Sequence, residues 1–524
     1  MAIFELLFNS TTFALCGSLI VIFLATDYWK KLYFIRNGIP GPFPLPLLGT
    51  LVHFTKGFTS DMLEKKKKYG KVYGASFGNN MFIIHDIDML QEIMISKFSS
   101  FPNHSPSPYK DRPFDEAVTG ARDGRWRSIR NTVSPAFTAS KLKQIDSFIN
   151  ECCDRLVKNF AAGKGKEGGI QCKELFGCYS LEVVASVFFG LQIDSQSNPD
   201  NPFVKNAQKM FNVNLFNLKI LLGFLIPGVG KLYDLFNVSI SDPQIKKFFL
   251  DVISEAMRRR DNGEVKRADI LQVMVDTHKL DSTEEDNTDS LVNVGNTTES
   301  SSKKVALSTD EIMANSVMFF LAGYDTTNTG LGFIAYCLAT EPEKQETLFE
   351  EVTKFAPTSE KVTYEVLSQM EYLDCFIRET LRIYPPVAGL DRFNDKGDIV
   401  IKDQLIPKGF QVFVPIYAIH HDPEIWDNPE EFRPERFNKE NRSKIHPVSW
   451  LPFGDGPRAC LGMRLAMMEM KFAVVRLLQE FKIVTCPETE IPPALNAASN
   501  FTGPPNGVKV QVVSRETADD NDAE

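Results

Sequence analysis

The sequence has no C-x-x-C pair, only seven histidines and four tryptophans in 524 residues, and no surplus of positive charge. Its nine cysteines are scattered, with Cys152 and Cys153 adjacent. That pattern excludes a secreted disulfide framework and any zinc site of ordinary spacing, and it places the folded part in a reducing compartment. A formal net charge of −9 excludes a chain built as a whole for nucleic acid. No internal repeat occurs. What is abundant is phenylalanine, 41 residues, which points to large apolar cores or an apolar pocket. The length allows one very large domain or two or three ordinary ones.

Between Glu5 and Asp27 no charged residue occurs, a stretch of about 31 Å as a helix and close to the bilayer hydrocarbon thickness. Tyr28 and Trp29 follow at interfacial depth, then Lys30, Lys31 and Arg36. A cleaved signal peptide is the alternative, but it needs a basic start, and Glu5 is acidic. Residues 1–29 are therefore expected to form a single-pass membrane anchor, with the bulk of the chain cytosolic. Residues 30–49 read as a basic and proline-rich hinge, because Pro40, Pro42, Pro44 and Pro46 cannot occupy a helix interior.

Residues 50–515 read as one α-rich domain with a minor sheet. Short β signals occur at 71–78 and 81–86, and again at 398–403, 410–419 and 508–514. The polar, acidic stretch 281–304 is expected to be a disordered loop, and 516–524 a solvated acidic tail.

A capping-box pattern, Ser308 with Glu311, opens a helix that runs to Thr340, about 48 Å long. Thr340 and Glu343 suggest a second box before the next helix. The centre of the long helix is AGYDTT, residues 322–327, where Gly323, Asp325, Thr326 and Thr327 all weaken helix. Either this is a packing kink, or it is a groove where a small ligand approaches the backbone and a carboxylate and hydroxyl relay protons. Further on, Glu379 and Arg382 share one helix face, and Arg436 arrives in FRPERF. Such a pair is ordinarily a surface salt bridge; held between two guanidiniums and buried, the carboxylate would be a structural pin.

The most specific signal is PFGDGPRACLG, residues 452–462. The pattern formed by Phe453, Gly456, Arg458, Cys460 and Gly462 arises by chance in roughly one chain of this length in ten thousand. A lone cysteine is usually an inert core thiol. Here the glycines let a backbone approach something flat, and a helix opens directly after Cys460, whose amides and dipole favour thiolate. No neighbouring histidine offers a general base; His420–His421 reads as a surface loop. A soft ligand for haem iron fits better than a nucleophile.

The cysteine loop, AGYDTT, the E-T-L-R of Glu379–Arg382 and the P-E-R-F of residues 434–437, in that order, resemble a cytochrome P-450, a haem-thiolate monooxygenase. Trp126 and Arg130 resemble its W-x-x-x-R helix, and the anchor and hinge its microsomal animal form. IPGPFPLPLLG, FLAGYDTT and the stretch after Cys460 are most similar to the branch that oxidises drugs and steroids. The resemblance implies a mainly α fold with minor β, a helical domain around haem b with small sheets, plus an N-terminal transmembrane helix. It implies Cys460 as axial metal ligand and Arg458, Trp126, Arg130 and Arg392 as partners of the haem propionates. Phe453 would pack near the thiolate, and Ala322 and Gly323 would leave space over the iron. Thr326 and Asp325 would supply protons during oxygen activation, and Glu379, Arg382 and Arg436 form a structural triad. Implied partners are O2, NADPH-cytochrome reductase, cytochrome b5, the endoplasmic reticulum membrane and a lipophilic xenobiotic, steroid or fatty acid. A peroxide-rearranging isomerase or dehydratase, or a non-catalytic haem protein, are the alternatives.

By the same resemblance, substrate would meet Phe114, Phe319, Phe320, Ala388, Gly389 and Phe501. An aromatic stripe is more often core than pocket. The apolar segment 214–236 is expected to dip into the membrane. Arg122, Arg125 and Arg127 suggest a basic patch for an acidic electron donor.

Overall fold

The expected long helix forms and organises the rest. A computed structural model describes residues 10–515 other than 108–109, 199, 212–217, 227, 237, 240, 265–268, 285–305, 358–360 and 497–498. In it the helix runs Thr309–Thr340, with the Ser308–Glu311 capping box complete. It packs along Cys172–Phe189, and Asp146–Gly163, Glu371–Ile383 and Met463–Glu480 close around this pair. Their apolar faces, from Phe176 and Phe189 to Phe376 and Phe472, merge into one large core. The fold is mainly helical with small sheets.

The largest sheet has four strands in the order β1 (Val72–Phe77), β2 (Asn79–Ile84), β7 (Gln411–Val414), β4 (Leu390–Phe393). β1–β2 is an antiparallel hairpin, with Val72 opposite Ile84 and Phe77 opposite Asn79. β2–β7 is parallel and β7–β4 antiparallel, so the early and late signals of the chain meet in one sheet. A three-stranded sheet orders β3 (Ile170–Gln171), β9 (Lys509–Ser514) and β8 (Phe481–Val484). β5 (Ile399–Ile401) and β6 (Gln404–Ile406) form a separate hairpin.

Several local expectations need correction. The late strand stops at Val414 rather than 419, because Pro415 cannot donate to the ladder; a helical turn, Ile416–His420, follows. Helix Ile270–Glu284 continues four residues into the stretch expected as loop from 281; residues 285–304 and 516–524 lie outside the described residues. The second capping box is not made. Thr340 ends the long helix with its hydroxyl on the Tyr336 carbonyl, and Glu341 caps the next helix without a side-chain bond.

The proline hinge is docked against the β1 strand. The Gly74 amide donates to Pro40 O at 2.8 Å, and a Cβ on Gly41 would stand 2.3 Å from Gly74 O. Before it, helix Ser10–Lys31 exposes large apolar residues, Leu15, Leu19 to Phe23 and Trp29, but among the described residues no helix is long and apolar enough to cross a membrane. Lys31, one of the positive residues after the apolar run, is buried in a pair with Asp27 and donates to Leu47 O at 2.8 Å.

One buried carboxyl, among the described residues, has an oxygen without a partner. Glu469, on Met463–Glu480, is 1% exposed, and one carboxyl oxygen has no partner. Burial pushes its pKa well above the carboxylate range. The folded state therefore keeps a proton that the unfolded state loses above about pH 4.3. Stability from this site is lost as pH rises, at about a tenfold change in the folding equilibrium per unit. Glu469→Gln is expected to raise the melting temperature at pH 7.5 and leave it nearly unchanged at pH 4.5. Equal shifts at both values would refute this account.

Candidate haem-binding site

Cys460 ends a tightly closed loop. Its amide donates to Phe453 O at 2.8 Å, the Ala459 amide to Gly456 O at 2.9 Å, and Asp455 caps the Gly456 amide at 2.6 Å. Helix Met463–Glu480 starts three residues later. The thiol lies deep in the molecule yet is exposed, so its sulfur faces an internal opening. The expected bias toward thiolate is only partly present. Burial raises the pKa, while the Gly462 and Met463 amides and Arg130 pull it down. In the protein by itself burial wins.

The glycines also divide. Gly456 has φ +73° and a Cβ there would meet Met94 O at 2.1 Å, so it serves loop packing rather than a flat ligand. Gly454, at φ +65°, is a turn residue. Gly462 does border the sulfur: its Cβ position is 4.0 Å from Cys460 Sγ.

The expected propionate partners converge. Arg458 stacks on Trp126, 4.2 Å from the ring centroid, and donates to Pro102 O, Val118 O and Ala121 O at 2.8, 3.1 and 3.0 Å. Arg130 donates to Ala459 O at 2.8 Å. Arg392 is 1% exposed, and its Nε has no partner. Among the described residues none of these three guanidiniums pairs with a carboxylate at ion-pair distance. The Arg458 pKa is pushed down to about 9, by burial first and then by repulsion from Arg392 and Arg130. Arg392 is pushed down to about 10 by burial. A buried cationic cluster with an orphaned donor is matched by a group carrying two carboxylates. With an open thiol beside it, the donor set fits haem.

In the long helix, Ala322 is exposed, and Thr326, one turn on, donates to Ala322 O at 2.6 Å. Gly323 does something else. A Cβ there would come within 2.6 Å of Val184 Cγ2, so the glycine permits close helix packing. Asp325 lines a small cleft of about 110 Å3 with Lys173, Asn328 and Phe501. Burial raises its pKa and Lys173 opposes the rise. Lys173, on helix Cys172–Phe189 and far from Asp325 in sequence, gave no signal of this.

The triad forms as expected. Arg382 grips Glu379 through Nε and Nη2 at 2.8 and 2.9 Å, and Arg436 Nε joins at 3.1 Å. Glu379 and Arg382 are fully buried. The histidines expected on the surface are buried against this helix. His420 Nδ1 donates to Arg382 O at 2.9 Å and its Nε2 accepts from the Leu451 amide at 2.8 Å; His421 Nε2 meets Ile383 O at 2.8 Å. Pro385 ends the helix and strands these carbonyls, and the imidazoles satisfy them.

The substrate candidates are spread. Phe319 stacks on Phe188 and Phe320 packs on Phe189, Phe203 and Phe249, both within the core. Phe114 is partly buried under Lys246. Ala388 is buried, and a Cβ on Gly389 would strike Phe413 at 2.3 Å. The basic patch dissolves, because Arg122 pairs with Asp395 at 2.6 Å and Arg125 pairs with Glu311; Arg127 is exposed.

The family profile described as Cytochrome P450 matches residues 39–512. Cytochrome P450 3A13 of Mus musculus is 37% identical over 515 residues, 97% of each chain. Cytochrome P450 3A14 of Cavia porcellus is 35% identical over 97% of this chain and 98% of its own. Cytochrome P450 3A27 of Oncorhynchus mykiss is 37% identical over 93% of this chain and 91% of its own.

Proposed function

This chain belongs to the cytochrome P450 family and is a haem-thiolate monooxygenase acting on lipophilic molecules such as xenobiotics and steroids; we propose that Cys460 is its axial ligand and that Asp325 and Thr326 handle the protons. Electrons come from a reductase. Haem b supplies the oxygen activation by which one atom of O2 enters the substrate. Cytochrome b5 is proposed as a second donor on the family resemblance alone.

The observation that carries the assignment is the pairing of an open, deep thiol with a buried arginine cluster short of anions. Arg392 Nε, Arg130 and Arg458 would hold the propionates, and Trp126 positions Arg458 by stacking. Ala322, small and exposed, leaves room on the face that carries the Thr326 hydroxyl. Asp325, whose pKa is raised by burial, can hold a proton taken from the cleft beside Lys173.

In purified holoprotein with reductase, NADPH and a steroid substrate, product should contain one atom from labelled O2. Asp325→Asn should lower product formed per second by about 100-fold while haem binding is retained. Wild-type turnover by that variant would remove Asp325 from the mechanism. Substrate conversion without NADPH would instead favour a peroxide isomerase.

We further propose that helix Ser10–Lys31 anchors the chain in the endoplasmic reticulum membrane, domain on the cytosolic side. The exposed Leu218, Leu235 and Phe236 would form a second contact. This part of the apolar segment is described; residues 212–217 and 227 are not. Leu218→Glu with Leu235→Glu in a chain lacking residues 1–36 should shift the protein from floated liposomes to the soluble fraction. Unchanged flotation would exclude the second contact.

A further inference from the structure

The cleft at Asp325 is built from three separate parts of the chain. The start of helix Cys172–Phe189 brings Lys173, the long helix brings Asp325, Asn328 and Thr329, and the late loop 499–508 forms the remaining wall. That loop is fixed in place. The Thr502 amide donates to Pro386 O at 3.0 Å, and Gln171 Nε2 donates to Asn506 O at 2.9 Å. Gln171 also caps the Lys173 amide at 3.4 Å, so one side chain ties the wall to the helix start that carries the lysine. On the other side the loop lies directly on the long helix: a Cβ on Gly503 would stand 3.0 Å from Thr329 Oγ1.

Among the described residues that line this cleft, Asp325 and Lys173 are the charged side chains. No group of the protein donates a hydrogen bond to the Asp325 carboxyl, and its oxygens are within reach of water. Lys173 is exposed and meets no carboxylate at ion-pair distance among the described residues. The two act on each other through space: burial raises the Asp325 pKa and Lys173 opposes the rise. Tyr324, beside Asp325 on the long helix, stays neutral, because burial pushes its hydroxyl up. The late loop contributes Asn496 and Ser499, which carry no charge.

At about 110 Å3 the cleft has room for a few water molecules, and it reaches the residue before Thr326. A nearby cation favours a carboxylate over its acid. It helps Asp325 release a proton and hinders recovery of the next one. Resting on the reading that Asp325 handles the protons, we propose that Lys173 is a positioning residue for oxygen activation: from the cleft wall its charge sets how readily Asp325 recovers each proton from solvent.

The test uses full-length holoprotein. In infrared difference spectra over a pH series, the carbonyl band that Asp325→Asn removes reports the protonated Asp325 carboxyl. That band is expected to persist to higher pH in Lys173→Met than in wild type, and Lys173→Arg should restore the wild-type course. Added salt should narrow the gap between wild type and Lys173→Met, because the charge is exposed. With reductase, NADPH and a steroid, the alkaline limb of turnover should move the same way, Lys173→Met exceeding wild type there by about threefold. In an Asp325→Asn background Lys173→Met should change nothing. A band and a pH profile unmoved by Lys173→Met, or the same gain without Asp325, would overturn the role of Lys173 alone. Wild-type turnover by Asp325→Asn would overturn it together with the reading beneath it.

Discussion

Cys460→Ser is expected to yield a folded protein that has lost monooxygenase activity. Its reduced carbon monoxide complex should lack the absorption band typical of thiolate-ligated haem. The loop should survive the change, because its closure runs through backbone bonds, from the Cys460 amide to Phe453 O and from the Ala459 amide to Gly456 O, which serine keeps. What changes is the donor. A serine hydroxyl is a hard, weakly acidic ligand, whereas a thiolate pushes electron density toward the metal and favours O–O cleavage. Haem should still associate through Arg130, Arg392 and Arg458, whose contacts do not include the sulfur. Retention of the thiolate band, or of turnover, would show that another of the nine cysteines is the ligand. The structure argues against that. Cys152, Cys153, Cys172, Cys337 and Cys375 are buried in apolar surroundings that push their thiols up, to about 12 for Cys153 and Cys375.

Glu379→Ala should have the largest effect on stability. It leaves Arg382 fully buried without its bidentate partner, removes the acceptor of Arg436 Nε, and frees the Arg433 amide that donates to Glu379 Oε1 at 2.9 Å. Breaking a buried pair from one side costs about 3–5 kcal/mol. Against a total of about 5–15 kcal/mol, that is a large share of the protein's stability. The effect should spread, because Arg382 Nη1 also donates to His420 O at 2.7 Å and His420 in turn holds the Leu451 amide, next to the cysteine loop. Urea unfolding of the variant measures this directly, and a stability within 1 kcal/mol of wild type would contradict it. Arg382→Lys, which keeps the charge but loses the fork, should fall between the two.

The contrast between these two sites shows what could be read from the chain alone. Local chemistry is written in short spacing. The capping box of Ser308 and Glu311 sets the start of the long helix, short runs of strand-forming residues mark β1 and β2, and a thiol among glycines before a helix start marks the proposed ligand. These features depend on residues within a few positions of one another, so their order in sequence is their order in space. The Glu379–Arg382 pair was legible for the same reason, being three apart on one helix.

Partners brought together by packing were not legible. The buried seats of His420 and His421 depend on carbonyls 38 residues away. Gly323 is small because Val184 of another helix presses on it, and Gly456 because Met94 does. Arg125 left the basic patch for Glu311, and Lys173 came to stand beside Asp325. None of these has a local signature, since each is decided by which apolar faces bury against each other. The sequence by itself determined the secondary-structure plan, the cysteine loop and the ion-pair helix. Only the tertiary structure decided which charges are neutralised and which donors stay open, because burial and ion pairing are properties of neighbours in space.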